Sequence, residues 1–154
     1  ELLQYFIKAF QNNLVEMVGL KSEAKVTPNT GMKFICHGLA IIIGITGTRQ
    51  GRMILDLSSN VAAEVCEKIL EITNASEEDI LNSIAEFANI IAGHSVSEVN
   101  NMFKGTDFEL RITPPSVFIG KSLVIINPKM ASSTVAAQTE IGELYMNVGF
   151  VGGE

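Results

Sequence analysis

The stretch SEEDILNSIAEFANIIAGHSVSEVNNM, residues 76–102, is the longest helical pattern in the chain and sets the frame for the rest of the fold. Ser76, followed three residues later by an acid, matches the capping box that begins many helices. Apolar side chains then recur every three or four residues, which predicts one long amphipathic helix ending near Met102. Gly93 is a candidate position for a bend, because glycine weakens a helix interior.

Shorter elements surround this helix, and no linker, charge block or low-complexity stretch divides the chain. Strands that follow one another directly predict an antiparallel sheet. We therefore expect an α+β fold, with two long helices packed on the sheet, in a single domain spanning residues 1–154. The predicted bounds are helices at 2–18 and 61–72, a hairpin at 39–48 and 52–57, a turn at 27–31, and a β-meander of strands at 108–113, 116–119, 122–126, 134–139 and 143–150.

The composition is that of a globular domain and excludes several kinds of partner. Apolar residues make up 47% of the chain and charged residues 18%, which suits a single buried core. The net charge is −6 and no basic cluster is present, so nucleic acid and anionic membranes are poor partners. No apolar run is long enough to cross a bilayer, and Cys36 and Cys66 lack metal-ligand spacing. These features predict a cytoplasmic protein with free thiols and no metal site.

One face of the long helix has an unusual composition. At 100° per residue, six residues share an arc of roughly 80° opposite the apolar side, with Phe87 and Ile90 at its fringe. Solvated helix faces usually carry charged residues and Gln, whereas this one has three Asn, one Gly and a single charge. Residues that break local rules together on one surface indicate function. These residues, here called the polar stripe, are Asn82, Glu86, Asn89, Gly93, Ser97 and Asn100.

The stripe contains the run Glu86-Phe87-Ala88-Asn89, followed by Gly93 and, further along the chain, by Pro114 and Pro115. This pattern resembles the CheC/CheX/FliY phosphatase family, in which Glu, two residues, Asn, three residues and Gly precede a downstream Pro. With one motif, the chain is more similar to the CheX branch, and the resemblance covers nearly the whole chain. Asn82 departs from the family pattern, which often has Asp or Ser four residues before the Glu.

The resemblance implies a phosphatase that hydrolyses the aspartyl phosphate of a CheY-type response regulator. Asn89 would orient the attacking water, because a carboxamide accepts and donates hydrogen bonds without titrating near neutral pH. Glu86 would dock on the regulator's Lys through a charge-assisted pair. The regulator would supply Mg²⁺, and the chain would need no cofactor of its own. The rest of the docking surface would be formed by Asn82, Ile90, Gly93 and Ser97.

Other functions remain open from the residues alone. A non-catalytic interaction module of the chemotaxis or flagellar switch would share the fold but lack the motif. A scaffold would instead bury the stripe under another segment or in a homodimer. A second copy could also pair along the C-terminal strands, because 145–150 is predicted as a sheet edge. The first helix echoes the long one with Asn12 and Val15 in place of Glu86 and Asn89, so no second site is expected there.

Overall fold

The computed structural model describes residues 1–29 and 33–153, and within them three α-helices pack on one side of an antiparallel sheet. The predicted α+β class is confirmed, although α2 joins the two long helices in the helix layer. The elements are α1 Leu3–Asn13, continued by a π-helical turn Leu14–Val18, β1 Glu23–Asn29, β2 Lys33–Ile35, β3 Leu39–Gly47, β4 Gly51–Leu57, α2 Ser59–Leu70, α3 Glu77–Met102, β5 Leu110–Ile112, β6 Ser116–Ile119, β7 Val124–Ile126, β8 Met130–Thr139 and β9 Gly142–Val151.

The strands after α3 do not form the predicted β-meander. The main sheet has the order β1-β8-β9-β4-β3-β5, with β6 also paired to β3, whereas β7 pairs with β2 in a separate small sheet. Pro114 and Pro115 separate β5 from β6, and proline cannot donate to a strand ladder. These two short strands therefore return to β3 individually. Of the predicted turn at 27–31, Thr27, Pro28 and Asn29 lie within β1, and residues 30 and 31 lie outside the described residues.

The C-terminal strand lies inside the sheet, so the prediction of a pairable edge at 145–150 is wrong. β9 pairs with β8 on one side and with β4 on the other. The hairpin β3–β4 and the hairpin β8–β9 meet along β9, and sequence order alone does not reveal that meeting. Over the described residues, the sheet instead ends at β1 on one side and at β5 and β6 on the other.

Serine side chains cap the starts of α2 and α3, and the cap at Ser76 is the predicted one. The Ser76 hydroxyl accepts from the N–H of Asp79 at 3.1 Å, and the Ser58 hydroxyl accepts from the N–H of Val61 at 3.3 Å. Each bond satisfies a backbone donor that the first turn of a helix leaves free. Between Glu77 and Met102, α3 is helical without interruption and continues through Gly93.

The helix layer places α1 beside α3 in the opposite direction. Tyr5, near the start of α1, shares a groove with Asn101 near the end of α3. Met17, in the π-helical turn, shares a pocket with Glu86 in the first half of α3. The sheet lies beneath both helices, and α2 packs against α3 and the π-helical turn. One face of α3 is therefore left turned away from the core.

Side chains of the strands point alternately to the two faces of the sheet, and this divides the buried residues into a main core and a smaller one. Met53 and Leu55 on β4 face the helices and join the main core with residues of α1 and α3. Ile54, between them, faces the small sheet and packs with Phe34 and Ala40. Successive side chains of a strand point to opposite faces, which accounts for the division. The helix side of the sheet is thus the rigid support for α3.

Candidate functional site

The polar stripe lies on the face of α3 that is turned away from the sheet. No described residue forms a hydrogen bond or ion pair with the side chains of Glu86 or Asn89. The two lie three residues apart, where Cβ atoms on a helix are about 5–6 Å apart. A carboxylate and a carboxamide are thus presented side by side with free hydrogen-bonding groups. Of the predicted site residues, Asn82, Glu86 and Ser97 are exposed, and Asn89, Ile90 and Gly93 are partly exposed.

Two residues assigned to the stripe or its fringe have structural positions instead. The Asn100 amide donates to the carbonyl of Leu110 at 2.9 Å, and its oxygen accepts from the N–H of Leu110 at 2.8 Å. Asn100 therefore holds the first residue of β5, as a neighbouring strand residue would. Phe87 is fully buried and belongs to the main core. The stripe that faces solvent is correspondingly shorter than predicted.

Gly93 is not required by the packing of the fold. A Cβ built at this position would meet nothing within 4 Å, and the residue sits in the interior of a regular helix. Glycine at such a position is about 1 kcal/mol less favourable than alanine. The missing side chain therefore leaves open space on the solvent side of α3, one turn from Asn89, where another molecule could approach the backbone.

Depressions flank the stripe at both ends. A pocket of about 330 Å³ opens beside Glu86, between the π-helical turn and the ends of α2 and α3. A groove of about 440 Å³ runs between α1 and α3 at the other end. In that groove, the buried amide of Asn13 approaches Nδ1 of His94 at 3.0 Å and also donates to the carbonyl of Ala9. These contacts orient the His94 ring at the edge of the stripe.

A second polar cluster lies on the other face of the sheet and was not predicted. The backbone N–H of His37 donates to Oδ1 of Asp56 at 2.9 Å, and the His37 ring contacts Oδ2. Burial raises the pKa of the Asp56 carboxyl, and the bonds from His37 act in the opposite direction. The ring also stacks on Tyr145, with centroids 4.1 Å apart. Nineteen residues separate His37 from Asp56, so no spacing motif signals the pair.

The remaining chemistry of the described residues is limited. No group of three or more His, Cys, Asp or Glu residues among them could hold a metal ion. Cys36 and Cys66 are both buried and free, as predicted, and burial raises the pKa of the Cys36 thiol to about 11. None of the helices over the described ranges is long and apolar enough to cross a membrane.

Comparison with known proteins gives the family. The family model for "Chemotaxis phosphatase CheX" matches residues 39–138, which contain α3 and the whole stripe. The chain belongs to the CheX family. A curated CheX relative, the "CheY-P phosphatase CheX" of Thermotoga maritima, is 34% identical over 93 residues. That alignment covers 59% of this chain, and the chain spans 57% of the length of the relative.

Solved CheX structures share the fold along nearly the whole chain. A chemotaxis protein CheX from Desulfovibrio desulfuricans superposes with a TM-score of 0.86 at 20% identity, covering 97% of this chain and 99% of that one. The CheX–CheY–BeF3–Mg²⁺ complex from Borrelia burgdorferi contains a chain with a TM-score of 0.82 at 23% identity, covering 97% of each.

Proposed function

We propose that this CheX-family domain hydrolyses the aspartyl phosphate of a CheY-type response regulator, using Asn89 and Glu86. The observation that carries the proposal is the pair of unpartnered side chains on α3, the exposed carboxylate of Glu86 and the partly exposed carboxamide of Asn89, at the positions of the family motif. The Thermotoga relative is named for CheY-P phosphatase activity, and the Borrelia CheX was solved in complex with CheY. Both names support this class of substrate.

Hydrolysis of an aspartyl phosphate requires little from the enzyme beyond a water held in position for attack. Water attacks phosphorus, the bond from phosphorus to the aspartyl oxygen breaks, and the electron pair leaves on a carboxylate that needs no general acid. The proton lost by the water ends on the inorganic phosphate product. Such transfers depend on positioning and charge neutralisation rather than covalent catalysis. The Asn89 oxygen would accept from the water, and its NH₂ would donate to a phosphoryl oxygen.

Glu86 would set the position of Asn89 relative to the regulator. Its carboxylate would pair with the Lys of the regulator's phosphorylation site, and a charge-assisted pair of this kind fixes both register and orientation. Asn82, Gly93 and Ser97 would lie under the docked regulator, and Ile90 would add apolar contact. Mg²⁺ would arrive with the regulator, because metal ions neutralise the charge that develops in phosphoryl transfer. The two free, buried cysteines fit a reducing cytoplasm, where such regulators act.

Decay of the phosphorylated cognate regulator tests the role of Asn89. Wild type should accelerate the decay, and Asn89→Ala should return it to nearly the spontaneous rate. Asn101→Ala is the matched control, because Asn101 is an exposed Asn on the same helix, roughly 18 Å further along its axis. Equal acceleration by wild type and Asn89→Ala would exclude the proposed role. Absence of acceleration by folded wild type would favour the non-catalytic module.

Glu86→Gln separates docking from chemistry. The variant keeps the shape of the side chain but removes its charge, so KM should rise while kcat at saturation changes little. The wild-type KM should also increase with ionic strength, because salt screens an exposed charge pair, and Glu86→Gln should reduce that dependence. A fall in kcat with unchanged KM would contradict a docking role and move Glu86 into the catalytic step.

A homodimer is a further part of the proposal, on a different edge from the one predicted. β6 ends the sheet, and all four of its residues are exposed. Val117, Phe118 and Ile119 are 38%, 44% and 60% exposed, so the edge combines free backbone groups with apolar side chains. Wild type should therefore sediment as a dimer and Ile119→Lys as a monomer. A wild type that is monomeric at every concentration would refute this arrangement.

A further inference from the structure

We infer that the pocket beside Glu86 receives an apolar side chain of the response regulator, and this inference rests on the proposed function. The pocket has a volume of about 330 Å³ and opens to solvent. Met17, Ile69 and Leu70 supply its apolar wall, and Leu70 is 43% exposed. The polar side of the pocket is formed by Asp79, Asn82, Ser83 and Glu86.

The pocket lies beside the polar stripe, so the partner that binds the stripe should also cover the pocket. Glu86 is at once the proposed docking residue and part of the pocket wall. A specific protein partner covers about 800 Å² on each side of an interface. A regulator that engages Glu86 and Asn89 would therefore also cover the pocket, because Glu86 is one of the residues that line it. Apolar pockets near the centre of an interface are where truncation of one side chain has its largest effect.

Irregular backbone on both sides of the pocket supports a functional origin. Met17 is held by the π-helical turn that ends α1, and π-helical turns are frequently found at functional sites. Leu70 ends α2, and the next residue, Glu71, adopts a left-handed conformation with φ 55°. A non-glycine residue is strained there. Met17 and Leu70, two residues of the apolar wall, thus both lie at irregular backbone.

The charges around the pocket specify its occupant further. Asp79 and Glu86 place carboxylates at the polar side, opposite the apolar wall. An acidic side chain would be repelled there, whereas an apolar side chain with a basic neighbour would satisfy both sides. We therefore assign the pocket to an apolar residue next to the regulator's phosphorylation site, close to the Lys that Glu86 would meet.

Leu70→Ser is the test variant, and it is compared with Leu70→Met and Leu123→Ser. Leu70→Met keeps an apolar wall, and Leu123 is a leucine of similar exposure, 38% against 43%, outside the helix layer. Two quantities are measured, namely KM for the phosphorylated regulator and Kd for the regulator loaded with beryllium fluoride and Mg²⁺. Leu70→Ser should raise both about fivefold, from roughly half the burial energy of an aliphatic side chain. Leu70→Met and Leu123→Ser should match wild type, and kcat should be unchanged throughout.

Each other outcome overturns the inference in a recognisable way. If wild type hydrolyses the phosphate and Leu70→Ser binds as Leu123→Ser does, the pocket is not part of the docking surface, and the proposed function stands. If Leu70→Ser changes only the sedimentation of the protein alone, the occupant is a second copy of the chain. If wild type neither binds nor hydrolyses the regulator, the proposed function fails and the pocket assignment fails with it.

Discussion

Replacing Gly93 by alanine should make the fold more stable and weaken the proposed phosphatase activity. The new methyl group would meet nothing within 4 Å, and the backbone there is ordinary α-helix. The gain is therefore the difference in helix propensity, about 1 kcal/mol in the free energy of unfolding. For a domain of this size, that corresponds to a rise in Tm of about 2–4 °C. The methyl group would also stand on the solvent face of α3, where the proposed regulator contacts the helix.

Urea and thermal denaturation would measure the stability, and regulator dephosphorylation would give KM and kcat. Gly44→Ala serves as the opposite control, because a Cβ there would lie 2.9 Å from Oγ1 of Thr113, which accepts from the Gly44 N–H. That variant should lose stability. A destabilised Gly93→Ala would refute the view that the fold has no need of this glycine. A stabilised Gly93→Ala with unchanged KM would show that no partner approaches α3 there.

Asn100→Ala should lower the free energy of unfolding by about 2–4 kcal/mol, because it leaves the N–H and carbonyl of Leu110 without their bonds; an unchanged urea midpoint would return Asn100 to the docking surface. Asn89→Ala should raise stability by about half a kcal/mol, since Asn is a poor helix former; lower stability in the same assay would reveal a structural partner. His37→Ala should destabilise most at neutral pH, where the buried Asp56 carboxylate loses its ring partner. Burial raises the pKa of the Asp56 carboxyl in the folded state above its ordinary value of 3.8. The stability lost in His37→Ala should therefore shrink as pH falls through that raised pKa toward 3.8, because the carboxyl becomes protonated and no longer places a buried charge beside the missing ring. Urea titrations at neutral and acidic pH check this, and a loss independent of pH would contradict it.

Features that depend on near neighbours in the chain were predictable. The start of α3 at Ser76 follows from a capping bond that spans three residues. The hairpin β3–β4 follows from two apolar runs around a short Gly-containing loop. Glu86 and Asn89 also share an exposed face because they lie three residues apart on one helix. Each of these depends on contacts within a few residues, which the order of side chains specifies directly.

The features that the sequence did not predict depend on contacts between segments that are distant in the chain. Asn100 and Asn89 have the same side chain on the same helix, yet only the arrival of β5 gives Asn100 a partner in Leu110. Phe87 is fully buried in the main core, although its helical angle placed it near the stripe.

The interior position of β9 also depends on contacts between distant segments, because it is set by the strands that pair on either side. The spacing of residues within one segment does not predict which segments pack together, because that packing depends on burial of apolar surface over the whole chain. The sequence by itself therefore determined the helix, its cap and the pair of residues proposed for the site. The tertiary structure decided which of the stripe residues remain free for another molecule, and it formed the pocket beside them.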